Sequence, residues 1–90
     1  MHTIDSADLE KIDQQVVRTE QLQDLRCPMP ILRTKKALAQ MEAGQVLKVV
    51  TTDPTAVEDL ALFATQTGHR LLAQSASSDG GKVTHWIAHK

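Results

Sequence analysis

Ninety residues with 41% hydrophobic side chains make one domain, and folding at this size buries roughly two-thirds of the unfolded surface. Ten Lys and Arg against eleven Asp and Glu leave a net charge of −1, without the basic excess of a general nucleic-acid binder. No run approaches the ~18 apolar residues of a membrane span. With Phe63 and Trp86 as the aromatic residues, the core must be aliphatic and base-stacking platforms are lacking.

Residues 1–15 read as a polar, flexible extension. Ser6-Ala7-Asp8-Leu9-Glu10 has capping-box-like spacing, enough for a short helical turn. The domain itself is expected over 16–90. A first, edge-like strand falls within Gln15 to Leu25, around Val16, Val17 and Leu22. The first helix of the domain is expected from Pro28 to Met41, with Ile31, Thr34, Leu38 and Met41 on one face and Arg33, Lys36 and Gln40 on the other. Gly44 stops it.

Val46 to Thr52 is rich in β-branched residues and is the clearest strand. At Asp53-Pro54 the aspartate is placed to cap a second helix and the proline to open it; Thr55 with Glu58 offers a competing cap. That helix runs to Thr67, burying Val57, Leu60, Ala61 and Ala64, with Gly68 just past its end. Two strands follow, Arg70 to Ala76 and Lys82 to His89, joined by Ser77-Ser78-Asp79-Gly80-Gly81. The order β-α-β-α-β-β predicts a two-layer α/β sandwich, two helices on one face of a mixed four-stranded sheet and the other face open.

Chemistry concentrates at Cys27, the one cysteine of the chain, between Arg26 and Pro28-Met29-Pro30. A thiol without a partner in its own chain makes no intramolecular disulfide and no multi-thiolate metal site, so it acts as a single nucleophile, as a covalent carrier, or as a small core hydrophobe. Prolines suit the first turn of a helix, and a thiol just ahead of that turn sits at the positive end of the helix dipole. Arg26, Arg33, Lys35 and Lys36 add cations, so the Cys27 pKa is expected to be depressed. A free cysteine is only about 3% thiolate at pH 7, and a pKa near 7 raises that to about half. One cysteine and no secretory apolar run point to a reducing cytoplasm.

His69, His85 and His89 read as strand or turn surface. His85 and His89 stand about 13 Å apart along a strand at ~3.3 Å per residue, too far to chelate one metal ion.

The run from Leu25 through Cys27-Pro28-Met29-Pro30 to Leu38, with Thr52-Asp53-Pro54 at a strand-to-helix junction, the Gly68-His69 turn and the final hairpin, resembles the TusA family of sulfur carriers, also called SirA-like. The resemblance covers residues 20 to 90. It implies a cytoplasmic sulfurtransferase-type carrier that holds sulfane sulfur as a persulfide on Cys27 and needs no cofactor. Its donors would be a cysteine desulfurase or a rhodanese, and its acceptor a TusBCD/DsrE-type relay protein. The pathways served would be transfer-RNA thiolation, molybdenum-cofactor assembly or sulfur oxidation. Arg26, Pro28, Pro30 and Asp53 belong to the motif, with Asp53 equally readable as a simple helix cap. Arg33, Lys35 and Lys36 offer either a basic docking surface for acidic partners or ordinary solvated charge. The carrier is expected to be a monomer, without a membrane or nucleic-acid partner.

One departure stands out. The family commonly has a glycine three residues before the cysteine, where this chain has Asp24. A carboxylate facing the thiol would oppose the thiolate; turned outward it would not. An interaction module using the basic helix without sulfur chemistry is the alternative function.

Overall fold

The computed structural model describes residues 6–90. Its elements are α1 (Ser6–Gln14), β1 (Val16–Leu22), α2 (Met29–Ala39), β2 (Val46–Thr51), α3 (Ala56–Thr67), β3 (Arg70–Ala76) and β4 (Val83–Ala88). The sheet order is β1-β2-β4-β3, with β1 parallel to β2 and β4 antiparallel to both β2 and β3. The expected mixed four-stranded sheet is therefore present, with β1 at an edge. A bulge at the start of β1 lets Val17 face solvent. The most apolar strand, β2, takes a central place and is buried along nearly its whole length.

Both expected helices pack on one sheet face. Ala37, Leu38 and Met41 from α2 and its end, and Ala56, Leu60 and Phe63 from α3, close over Leu22, Leu47, Val49 and Ile87. Ile31, given as buried by its spacing, is half-buried, as are Val57 and Ala61, whereas Phe63 goes inside. Gly68 ends α3 with φ +82, a left-handed backbone that glycine adopts without a Cβ clash. Within α2, Thr34 is fully buried and its Oγ1 has no hydrogen-bond partner.

The other sheet face is not open. Ser6–Gln14, expected to belong to a polar flexible extension, form α1 and lie against it; residues 1–5 fall outside the described part. Leu9 and Ile12 pack on Val46, Ala73 and Trp86. Asp13 fixes the helix end. Its Oδ1 accepts from the Trp86 indole at 3.2 Å and pairs with Lys48 Nζ at 3.1 Å, while Lys48 lies 5.8 Å from the Trp86 ring centre. Those contacts hold the Asp13 carboxyl below its usual range, the Lys48 bond first and the Trp86 bond second. The segment's polarity hid the helix because it buries only a narrow stripe; the apolar complement is supplied by Trp86, far away in sequence.

Candidate functional site

Strands β1 and β2 run parallel, so the loops that leave them toward α2 and α3 emerge at the same end of the sheet. There Asp24, Leu25, Arg26 and Cys27 from the first loop meet Thr52, Asp53, Pro54 and Thr55 from the second around an open depression of about 640 Å³. Cys27 is exposed and free, not a core hydrophobe.

Helix α2 starts at Met29, one residue later than expected, with Pro28 at the cap position and Pro30 buried in the first turn. Both prolines thus shape the helix start. The Met29 N–H donates to Arg26 O at 2.8 Å and the Leu32 N–H to Pro28 O at 3.1 Å, folding the loop tightly round the cysteine.

The second loop holds the first. Asp53 Oδ2 accepts the Cys27 backbone N–H at 2.6 Å, and Thr52 Oγ1 accepts the Asp24 N–H at 2.8 Å. Asp53 was expected to cap the next helix with Pro54 at its first position. Instead α3 begins at Ala56, after Thr55, which makes no side-chain capping bond. Asp53 Oδ1 accepts from the Thr55 backbone N–H at 2.9 Å and the Thr55 hydroxyl at 2.8 Å, closing its own turn. Its carboxylate therefore braces two loops. The Thr55 bonds first, then the Cys27 N–H, with the Arg26 charge beyond, keep its pKa below the carboxylate norm.

Asp24 occupies its glycine-like position by adopting φ +68, a left-handed backbone that aspartate tolerates better than most residues.

The expected depression of the Cys27 pKa is overturned. The thiol is pushed above its ordinary value, first by desolvation in the loop, then by the Asp59 carboxylate as a charge and as a hydrogen-bond acceptor, and then by Asp53. The reason is tertiary. Parallel strands bring the acidic first turn of α3, Glu58 and Asp59, to the same end of the sheet as Cys27. Arg33, Lys35 and Lys36 are exposed along α2 and do not line the depression, whereas Arg26 does and acts on Asp53. The sequence left open whether Asp24 opposes the thiolate; beyond desolvation, the carboxylates that do are Asp59 and Asp53. Asp59 was missed. Its signal was the right-handed βαβα order itself, which puts both helix starts at one end.

His85 also differs from its expected surface place. It is completely buried on β4, and burial lowers its pKa to about 4. His69 and His89 lie at the opposite end of the sheet, with ring centres 4.8 Å apart. Among the described residues no group of three or more His, Cys, Asp or Glu could hold a metal ion, and no helix is long and apolar enough to cross a membrane.

An exposed single thiol on a proline-shaped helix start, braced by the next strand-to-helix turn, defines a small single-cysteine carrier on an α/β sandwich. Comparison with known proteins makes this specific. The family model for Sulfurtransferase TusA matches residues 21–88, and the chain belongs to this family. It is 53% identical over 66 residues to a candidate sulfur carrier of Neisseria meningitidis, covering 73% of this chain and 86% of that one. It is 48% identical over 66 residues to the sulfur carrier protein TusA of Allochromatium vinosum, covering 73% and 83%. A SirA-like protein of Desulfitobacterium hafniense has a similar solved structure, with TM-score 0.72 and 27% identity over 80% of this chain and 96% of that one. The chain is thus a member of a sulfur-carrier family with the fold of the SirA-like proteins. The matched segment begins inside β1, so α1 lies outside it.

Proposed function

We propose that Cys27 carries sulfane sulfur as a persulfide between a donor and an acceptor protein, the observation behind this being its exposure at the braced loop of a sulfur-carrier fold. In loading, the Cys27 thiolate attacks the terminal sulfur of a donor persulfide. The donor's S–S bond breaks, the donor thiolate leaves with the bond's electron pair, and a Cys27–S–SH forms. In delivery an acceptor thiolate attacks that terminal sulfur and Cys27 departs as thiolate. No net oxidant or reductant is consumed.

With no second thiol in the chain, Cys27 cannot resolve its persulfide as an internal disulfide and must pass it on. Desolvation in the loop, then Asp59 and Asp53, push the free carrier's thiol further from the thiolate, so a base or cation brought by the donor would favour attack. A cysteine desulfurase or rhodanese fits the donor role and a TusBCD/DsrE-type relay protein the acceptor role, in the cytoplasm. Arg33, Lys35 and Lys36 fit a docking surface for an acidic partner, separate from the depression. The carrier would work as a monomer between transfers and requires no cofactor.

The test is intact-mass spectrometry after incubation with a desulfurase and cysteine. Wild type should gain about 32 Da per sulfur, and Cys27→Ser should gain none while keeping its circular dichroism spectrum. Absence of loading in wild type with desulfurase and rhodanese donors alike would refute the carrier reading and favour an interaction module.

A further inference from the structure

Sulfur transfer does not call for a histidine in the core, yet His85 lies there with its surface fully covered. Its partners set its tautomer. The Gln74 side-chain amide is 3.0 Å from His85 Nδ1 and 2.9 Å from Val57 O. An amide nitrogen only donates, so Nδ1 accepts, and the neutral ring carries its proton on Nε2. That Nε2–H donates to Thr51 Oγ1 at 2.9 Å.

The two ends of this network bracket one short stretch of chain. Thr51 is the last residue of β2, and Val57 lies in the first turn of α3. Between them stand Thr52 and Asp53, which accept the Asp24 and Cys27 backbone N–H groups. Fixing Thr51 and Val57 therefore fixes the span of the turn that holds the cysteine loop, and sets where the first turn of α3 meets that loop.

We propose that His85 and Gln74 are positioning residues for Cys27, a buried relay from β4 and β3 that holds the β2–α3 turn at the length at which Asp53 braces the cysteine loop. This role rests on the reading of Cys27 as the carrier thiol. An apolar pair of similar volume would fill the same space without desolvating an imidazole and an amide. It would leave the turn with its own Asp53–Thr55 bonds but without this tie to β3 and β4. Asp24 and Arg26 on the loop, and Asp53 and Asp59 from the turn and α3, are the charged groups disposed about the thiol, so a shift of the turn changes its surroundings directly.

The full chain is tested as wild type, Gln74→Met, His85→Leu and the double variant. Iodoacetamide alkylation of Cys27 is followed against pH, and amide exchange is measured at Cys27, Asp24 and, as a core reference, Val49. Loosening the brace should move the alkylation midpoint down by about half a unit, roughly a threefold faster reaction at pH 7. The Cys27 and Asp24 amides should lose protection while Val49 keeps its own. The double variant should shift no further than one single variant, because the two side chains act as one relay. Gln74 is half-buried, so Gln74→Met decides the matter alone if His85→Leu does not fold. Profiles and exchange that superimpose on wild type would overturn the positioning role, as would loss of protection spread equally to Val49. Neither readout uses a sulfur donor. A wild type that takes up no sulfur while the variants still shift would defeat the carrier reading and leave the positioning intact.

Discussion

Acidification should weaken this fold well before its carboxylates titrate, and His85 is the main cause. In the native state burial holds its pKa at about 4, against about 6.5 in an unfolded chain. The unfolded state therefore binds more protons between these values, and stability must fall as pH drops through that window. Integrating the linkage for one group gives a loss of about 1 kcal/mol from neutral pH to about 5.5, and about 2 kcal/mol by about 4.5. For a domain whose total stability is of order 5–15 kcal/mol, the midpoint of a urea melt should move visibly.

His69 is also lowered, by its own burial and then by His89 and Lys90, and loses stability in the same direction. The His85 share is isolated by comparing wild type with the His85→Leu/Gln74→Leu double variant, which removes both partners and leaves no unpaired amide at Gln74. The urea-derived stability of the double variant should decline by at least 1 kcal/mol less between about pH 7.5 and 5.5. Equal slopes for the two proteins would refute the claim that His85 is held neutral inside the sheet–helix interface.

The remaining predictions concern the site and the two helical layers. Asp59→Asn should remove the charge that most directly opposes the Cys27 thiolate, lowering the pH midpoint of alkylation; a midpoint at or above that of wild type would contradict the assignment. Asp13→Ala should release the end of α1 from Lys48 and Trp86 at a cost of about 0.5 kcal/mol, small because the pair is exposed, and should redshift Trp86 fluorescence. Thr34→Val should stabilise the domain by about 1 kcal/mol in a thermal melt, since it removes a buried hydroxyl without a partner at nearly constant shape. Asp24→Gly should leave the fold intact or tighten it, while Asp24→Val should destabilise it through φ +68; equal melting temperatures would argue against the left-handed backbone.

Cys27 and its prolines, the four strands, and helices α2 and α3 could be read from local pattern because each depends on residues within a few positions of one another. β-Branched runs, 3.6-residue periodicity and proline at a helix start are local signals. Single positions were harder. Asp53 was legible as a residue at a strand-to-helix junction, but not as the acceptor for an amide in a different loop. His85 was legible as a residue of the last strand, but the sequence did not show that α3 covers its face. α1 escaped because half of its amphipathic match lies on Trp86.

What the chain determined by itself was the carrier chemistry available: one thiol, a helix start to present it, and no second thiol to resolve it. The direction in which that thiol's pKa moves was decided only in three dimensions. From the linear neighbours Arg26, Arg33, Lys35 and Lys36 the thiolate looked favoured; in the fold only Arg26 of these lines the depression with Cys27, and Asp53 and Asp59 join it there from the second loop and α3. Electrostatic energy depends on distance through space, and parallel strands bring together residues more than twenty positions apart. The α2 cations, close in sequence, are carried by helical rotation onto the solvent face, where water screens them.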